Sequence, residues 1–303
     1  MNKRCVAVLL SFLLLPVFVY ARSEAHFDRT LQVSGSVNLD VTTGSGDIVV
    51  KTGSSNQVTV HGTVRSEGWL FSGGDEGAVN KVASNPPIQQ NGSSIRIGYD
   101  LPDDVRRHVS MSYEIMVPAD TRLAAHSGSG NVEASGMHSD VDVQSGSGDL
   151  RLRDTGGQTR AQTGSGNIRA ENVAAPFTAQ TGSGDVEAAL TGSGDIDVHT
   201  GSGTIGVRGA NGGLRARTGS GDITADGSVT GSWELQSGSG NIRLAVGSAK
   251  GFDLDVHTSS GSIHSELPIM VQGSVKRQQL QGKVNGGGPS VRVSTSSGDV
   301  DIR

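Results

Sequence analysis

The sequence predicts an all-β protein whose chain winds into a parallel β-solenoid (β-helix), and three observations predict it. Glycine supplies 45 of the 303 residues, whereas aromatic residues supply only 4%, so the interior must be narrow. A Thr/Ser-Gly-Ser-Gly tetrad recurs along the chain, mostly at steps of 18 or 19 residues. Between the tetrads, short segments alternate apolar and polar residues with the period of two that is typical of strands. Self-similarity at a fixed short period indicates a repeat architecture.

The tetrad is followed by Asp, Asn or Thr and then by a branched aliphatic residue. Its second glycine falls at Gly46, Gly130, Gly148, Gly166, Gly184, Gly194, Gly203, Gly221 and Gly240, with degenerate copies at Gly261 and Gly298. Glycine suits a tight corner because it tolerates a positive φ and the close approach of another coil. The next residues are expected to accept N–H bonds in the turns: Asp47, Asn131, Asp149, Asn167, Asp185, Asp195, Asp222 and Asn241. Because Asp and Asn interchange there, we interpret them as a structural ladder.

A smaller unit emerges from the first inward residue of each strand. These residues follow one another at gaps of 9 or 10: Val132, Val141, Leu150, Thr159, Ile168, Phe177, Val186, Ile196, Ile205, Leu214, Ile223, Trp233 and Ile242. If two such strand-turn units make one coil, the coil uses about 18 residues and most tetrads stack along one edge, with Gly194 on the opposite edge. A three-sided coil of about 27 residues is the competing geometry, but it scatters the tetrads over all corners.

Residues 1–21 have the features of a secretory signal: a basic start, an apolar run and a small-residue cleavage site at Ala21. We therefore expect an exported protein, periplasmic, cell-surface or extracellular. The only cysteine, Cys5, lies in this segment, so the mature chain is expected to lack disulfides. No later segment has the length of a membrane span.

The remainder, residues 22–303, is predicted to be a single β-solenoid domain with two loop excursions. Alternation of apolar and polar residues stops at about 65–94 and again at about 276–290. Trp69 and Phe71 in the first excursion form either an exposed contact patch or a flap that closes the adjacent coil.

The charge distribution excludes nucleic acid as a partner. Loss of the signal, which carries two basic residues, changes the formal net charge from −5 to −7. Basic and acidic residues are interspersed along the chain, whereas a phosphate backbone requires a basic stripe.

Residues 109–120, with the sequence VSMSYEIMVPAD, lead into the first of the serial tetrads at 127–130. This Tyr-x-Ile-x-Val-Pro segment, followed by repeated Ser-Gly-Asp turns, resembles the bacterial β-strand-repeat family of candidate adhesins, a domain of unknown function. The resemblance covers about residues 31–303. It implies a β-solenoid without recognised catalytic residues, and adhesion is the role conjectured for the family.

Two metal-binding patterns compete with a purely structural interpretation of the repeat. Calcium-binding β-rolls also use nine-residue half-turns, but here the acid follows the glycine directly, which puts Ile196 where a ligand Asp belongs. The motif Asp-x-Asp-x-His at 195–199 and 253–257 places three side chains on one strand face. The two copies are expected about three coils apart, on the order of 14 Å, so they cannot share an ion. We predict no metal or cofactor site.

A polysaccharide-active β-helix enzyme is the third-ranked function. A glycosidase needs two carboxyl groups in different environments, whereas Asp149, Asp185 and Asp222 occupy equivalent turn positions. We therefore predict no catalytic residue. The leading hypothesis is an exported, non-enzymatic, adhesin-like binding module for a cell-envelope or extracellular macromolecule, a surface protein or a glycan. The alternative is a structural solenoid that associates end to end, because the strand-like residues 300–303 show no cap.

Overall fold

The computed structural model describes residues 23–66, 74–102, 105, 109–247, 251–271 and 277–303. The helix α1 spans Gly74–Ser84. The strands are β1 (Glu24–Gln32), β2 (Asn38–Thr43), β3 (Ile48–Thr52), β4 (Gln57–Ser66), β5 (Ile88–Asn91), β6 (Ser94–Ile97), β7 (Val109–Val117), β8 (Arg122–Ser127), β9 (Val132–Ser135), β10 (Val141–Ser145), β11 (Leu150–Thr155), β12 (Thr159–Thr163), β13 (Ile168–Ala174), β14 (Phe177–Thr181), β15 (Val186–Thr191), β16 (Ile196–Ser202), β17 (Ile205–Ser220), β18 (Ile223–Ser239), β19 (Ile242–Val246), β20 (Phe252–Ser260), β21 (Ile263–Ser265), β22 (Ile269–Val271), β23 (Gln279–Val284), β24 (Ser290–Ser297) and β25 (Val300–Ile302). The predicted all-β class is confirmed.

From β8 to β16, successive strands alternate between two stacks. Each of these strands pairs in parallel with the strand two places along the chain, as in Val141↔Thr159 and Leu150↔Ile168. The first stack runs β5, β6, β2, β8, β10, β12, β14, β16, the second halves of β17 and β18, β24, β20, β23 and β22. The second stack runs β1, β4, β7, β3, β9, β11, β13, β15, the first halves of β17 and β18, β19, β25 and β21.

The core is a thin layer between the two stacks. All thirteen residues predicted to start an inward face, from Val132 to Ile242, are buried, so this prediction is confirmed. Most of the other inward positions carry Ala, Val or Leu, which suits the small spacing between the stacks. Trp233 is the largest of the fully buried side chains in the described residues. Its indole Nε1 donates a hydrogen bond to the Gly212 carbonyl at 3.0 Å, so the polar end of the ring is satisfied inside the coil.

The tetrads stack along one edge of the molecule, as predicted. A Cβ on the second glycine of a tetrad would overlap the backbone of the preceding tetrad, for example Gly148 against Gly130 and Gly166 against Gly148. Gly194 lies instead against Ala175 and Pro176, on the opposite edge, which is also confirmed. The glycines are therefore required by the spacing between coils.

Both ends of the stacks carry antiparallel strands. At one end, β4 pairs antiparallel with β7 and with β1, and β5 pairs antiparallel with β6. At the other end, β23 pairs antiparallel with β20 and with β22. The first excursion, predicted as a loop at about 65–94, thus contains α1 and β5 in its described part, and the second, at about 276–290, contains β23. Residues 1–21, Trp69 and Phe71 lie outside the described residues.

The prediction of a bare last coil at residues 300–303 is wrong. β24 and β25 are inserted between β18/β19 and β20/β21, so Val300 pairs with both Ile242 and Ile263. The Arg303 N–H also donates to the Leu244 carbonyl at 2.9 Å. The terminal strand is therefore in the interior of its stack, because the chain returns from β23 into a gap left between earlier coils.

Candidate functional site

A column of amide and imidazole side chains crosses the outer face of the first stack. It consists of His126, Gln144, Gln162, Gln180 and His199, on β8, β10, β12, β14 and β16. Strand register places them side by side, since His126 pairs with Gln144, and Gln162 with Gln180. They face outward because each precedes a buried Ser or Thr by one position and side chains alternate along a strand. We call these five residues the amide column.

The amide column borders a groove of about 630 Å³ that runs across five coils. Beside the column, the groove is lined by Ser127, Ser145, Thr163, Thr181, Gly146, Gly164, Gly182 and Gly201. None of the thirteen lining residues is Asp, Glu, Lys or Arg. The side chains that line the groove are therefore all polar, and they carry no formal charge wherever the two histidines are neutral.

Glycine keeps one side of the groove free of side chains. A Cβ at Gly164 would overlap the carbonyl oxygen of Gly146, and a Cβ at Gly182 that of Gly164. Any larger residue is excluded by coil spacing, so this side is bare backbone. The depth of the groove follows from the repeat itself.

The buried hydroxyls beside the glycines serve the corners. Thr163 Oγ1 donates to the Gly148 carbonyl at 2.9 Å and accepts the Gly166 N–H at 3.2 Å. Thr181 makes the same pair of bonds to Gly166 and Gly184. Because these hydroxyls are already engaged, the amide column supplies most of the hydrogen-bonding capacity open to a ligand.

The amides of the column are only partly used. Gln162 Nε2 donates to Gln180 Oε1 at 3.0 Å, and Gln144 Nε2 donates to Asp142 Oδ1 at 3.2 Å. Each amide carries two N–H donors and a carbonyl with two lone pairs. One bond per amide leaves both donor and acceptor capacity facing the groove.

The residues after the tetrads form the predicted ladder of N–H acceptors. The Asn131 N–H donates to Asp47 Oδ1 at 2.8 Å, and the Asp149 N–H donates to Asn131 Oδ1 at 2.9 Å. The bonds continue through Asn167, Asp185 and Thr204, and again from Asp222 through Asn241 and Asp299 to Ser262. We call this set the Asx ladder. Asp195 follows Gly194 on the opposite edge and stands outside it.

The outer face of the second stack is charged and largely self-neutralised. Glu171 binds Arg169 at 2.7 Å and Arg153 at 3.0 Å, and Arg169 also approaches Glu187 at 3.3 Å. Hydrogen bonds from Arg169 and then Arg153 hold the pKa of Glu171 below its usual range. The arginines are thus matched to carboxylates, and they form no basic stripe.

The two Asp-x-Asp-x-His segments are farther apart than predicted. The outward pairs run from Asp197 to Arg215, Glu234, Arg292 and Asp255, which is four coil steps instead of three. The extra step is the inserted strand β24. At strand spacing the separation is on the order of 19 Å. The described residues contain no group of three or more His, Cys, Asp or Glu that could hold a metal ion.

No local motif indicates two features of the structure. Gln recurs with a strict 18-residue step at 144, 162 and 180, and this recurrence is the signal that predicts the amide column. The second feature is on the antiparallel end, where His26 and His61 stack with ring centroids 5.8 Å apart. Their pairing depends on β1 lying beside β4, which no local spacing reveals.

These features define a class: an all-β, solenoid-like repeat protein with a polar groove across its coils. The chain belongs to the Toastrack DUF4097 family, whose model matches residues 36–303. No functionally curated protein matches the chain. No helix in the described segments has the length and apolarity needed to cross a bilayer.

Several solved structures are similar to this chain at low identity. A candidate adhesin from Bacteroides fragilis is 12% identical, with 92% of this chain and 97% of that chain covered and a TM-score of 0.39. A candidate lipid-binding protein from Parabacteroides distasonis has the same identity, coverage and TM-score. A candidate cell-adhesion protein from Clostridium sporogenes is 9% identical over 92% and 98%, with a TM-score of 0.26. With TM-scores below 0.5, these likenesses carry no argument about the function of this chain.

Proposed function

We propose that this protein is an exported, non-enzymatic, adhesin-like module that binds a macromolecule of the cell envelope or extracellular space. The groove beside the amide column carries this proposal, because it presents the same uncharged polar groups on five successive coils. The framework is a coil of about 18 residues in two nine-residue units. Such a surface suits many weak contacts along one extended partner.

The carboxylates of the Asx ladder support a non-enzymatic role. Asp149 and Asp185 occupy equivalent corners, and each accepts the N–H of the following coil. Acid-base catalysis requires two groups whose environments push their pKa values apart.

Export is supported by the signal-like residues 1–21. Residues 300–303 no longer motivate end-to-end association, because Val300 is paired on both sides.

The test is retention of purified residues 22–303 on intact bacteria, envelope fractions and immobilised glycans. We expect the wild-type chain to be retained, and the double variant Gln162→Ala/Gln180→Ala to lose retention. Gln236→Ala is the matched control, because Gln236 extends the same outward column beyond the groove: it pairs with Arg217, which pairs with His199.

If wild type and the double variant are retained to the same extent, the binding surface lies outside the groove. Absence of retention on all three materials would overturn the binding function. Turnover of a polysaccharide by the wild-type chain would show that the protein is an enzyme and would contradict the non-enzymatic role.

A further inference from the structure

We infer that the groove beside the amide column binds an uncharged polysaccharide chain that lies along the stacking direction, across β8, β10, β12, β14 and β16. This inference rests on the proposed binding function and names the chemical class of its ligand.

The chemistry of the lining selects a ligand without formal charge. Amides, imidazoles, hydroxyls and glycine backbone make up the lining, so an anionic ligand finds no Arg or Lys and a cationic ligand finds no carboxylate among these residues. Sugar hydroxyls both donate and accept hydrogen bonds. The side-chain amides of Gln144, Gln162 and Gln180 do the same.

The outward row of side chains next to the amide column contains charges but does not favour a ligand of either sign. One outward position earlier on the same strands lie Asp142, Arg160, Thr178 and Asp197. Acidic and basic side chains are mixed in this row, and Asp142 already accepts a hydrogen bond from Gln144 at 3.2 Å. A partner that crosses several coils therefore meets no sustained potential of one sign.

The direction of the groove disfavours an extended peptide. Peptides that bind sheets usually add to an exposed strand edge and use main-chain hydrogen bonds. Each of the five strands under the groove has a parallel neighbour on both sides, so these backbones offer no free edge. Recognition must come from side chains that repeat across the strands.

The groove has a finite length. From His126 to His199 there are four coil steps, or about 19 Å at a strand spacing of about 4.8 Å. The next residue in the column is Arg217, which forms an ion pair with Glu234 at 2.8 Å. The uncharged lining ends at this pair. We therefore expect affinity to rise with oligosaccharide length and to level off when the ligand spans about 19 Å.

The experiment uses residues 22–303 and a panel of immobilised dextran, β-glucan and mannan, with alginate and polygalacturonate as anionic counterparts and bacterial envelope protein as a third arm. An uncharged polysaccharide that binds is then measured by calorimetry as a length series of oligosaccharides. We expect binding to at least one uncharged polymer and a loss of at least about tenfold in affinity for Gln162→Ala/Gln180→Ala. Gln236→Ala should bind like wild type, and circular dichroism should show the same fold for all variants.

A second variant, Gln162→Glu/Gln180→Glu, keeps side-chain length and acceptors but adds charge and removes donors. It should also weaken binding of the uncharged polymer. Groove-dependent binding of only alginate, polygalacturonate or envelope protein would overturn the ligand class and leave the proposed binding function intact. Binding of an uncharged polymer that neither double variant alters would overturn the assignment to this groove. If nothing binds in any arm, both this inference and the proposed function fail.

Discussion

In spatial order, charged and neutral side chains alternate along the Asx ladder and its neighbour Ser112, whose hydroxyl accepts the Asp47 N–H. That order is Ser112, Asp47, Asn131, Asp149, Asn167, Asp185, Thr204, Asp222, Asn241, Asp299 and Ser262. In sequence order the alternation breaks twice, because Ser112 is followed by Asn131 and Asn241 is followed by Ser262. Neighbouring coils lie about 4.8 Å apart, so two adjacent carboxylates would repel. Alternation lets each Asp and Asn of the ladder accept an N–H without placing two charges side by side.

Asn167→Asp tests this explanation. The new carboxylate can still accept the Asp185 N–H, but it stands between Asp149 and Asp185, and two unit charges about 5 Å apart repel by roughly 1 kcal/mol in water. We expect a lower Tm at low ionic strength and partial recovery in 1 M salt, where screening is strong. Thermal unfolding by circular dichroism measures both.

Asn167→Ser is the matched control, since the Ser112 hydroxyl accepts the Asp47 N–H in the same way without a charge. It should show no salt-dependent deficit. A Tm for Asn167→Asp that equals wild type at low salt would mean that alternation has no energetic role.

At the scale of the element, the glycine corners decide how closely two coils approach. Gly164 and Gly44 are the first glycines of their tetrads, but their surroundings differ. A Cβ at Gly164 would overlap the Gly146 carbonyl, whereas a Cβ at Gly44 meets nothing within 4 Å. Gly44 is exposed to solvent because no earlier tetrad stacks on it.

Gly164→Ala should therefore destabilise the protein by about 1–3 kcal/mol through overpacking, while Gly44→Ala should change stability by less than about 0.5 kcal/mol. Chemical denaturation of both variants gives the comparison. Equal effects at the two positions would show that local turn conformation, not contact between coils, explains the glycines.

The parallel elements follow from local sequence, and the flanking elements do not. Strands such as Leu150–Thr155 are predictable because period-two alternation coincides with a corner signal on each side. The helix Gly74–Ser84 escapes prediction because it is short and contains two glycines and the weak helix formers Asp, Asn, Val and Ser. It packs against β1 and β4, and this tertiary contact stabilises it. The amide column could be predicted from the recurrence of Gln every 18 residues. The groove beside it could not, because it depends on how the coils stack.

At the scale of the whole molecule, the spatial order of coils differs from their order in the chain. β24 and β25 lie between β18/β19 and β20/β21. Nothing local in residues 290–302 indicates this, since the same strand pattern also fits a terminal coil. The prediction of a bare final strand fails for this reason.

The insertion predicts an unusual pattern of hydrogen exchange. Amides of Val293 and Val300 should exchange as slowly as those of β18, because the strands that contain them are paired on both sides. Ile269 and Val271 in the edge strand β22, which pairs only with β23 among the described strands, should exchange faster. Exchange measured by mass spectrometry or NMR distinguishes the two. Rapid exchange throughout 290–302, as in a frayed terminus, would contradict the insertion.

The inserted coil also constrains the order in which strands can pair while the chain is being synthesised. β20 and β21 emerge from the ribosome before β24 and β25, the parallel partners that they need. The same is true of β2 and β3, whose neighbours on both sides come later in the chain. Folding therefore cannot advance one coil at a time from the N-terminus. At both ends of the solenoid, strands can complete their pairing only after distant segments have been synthesised. Only the central coils from β8 to β19 can assemble in the order in which they are made.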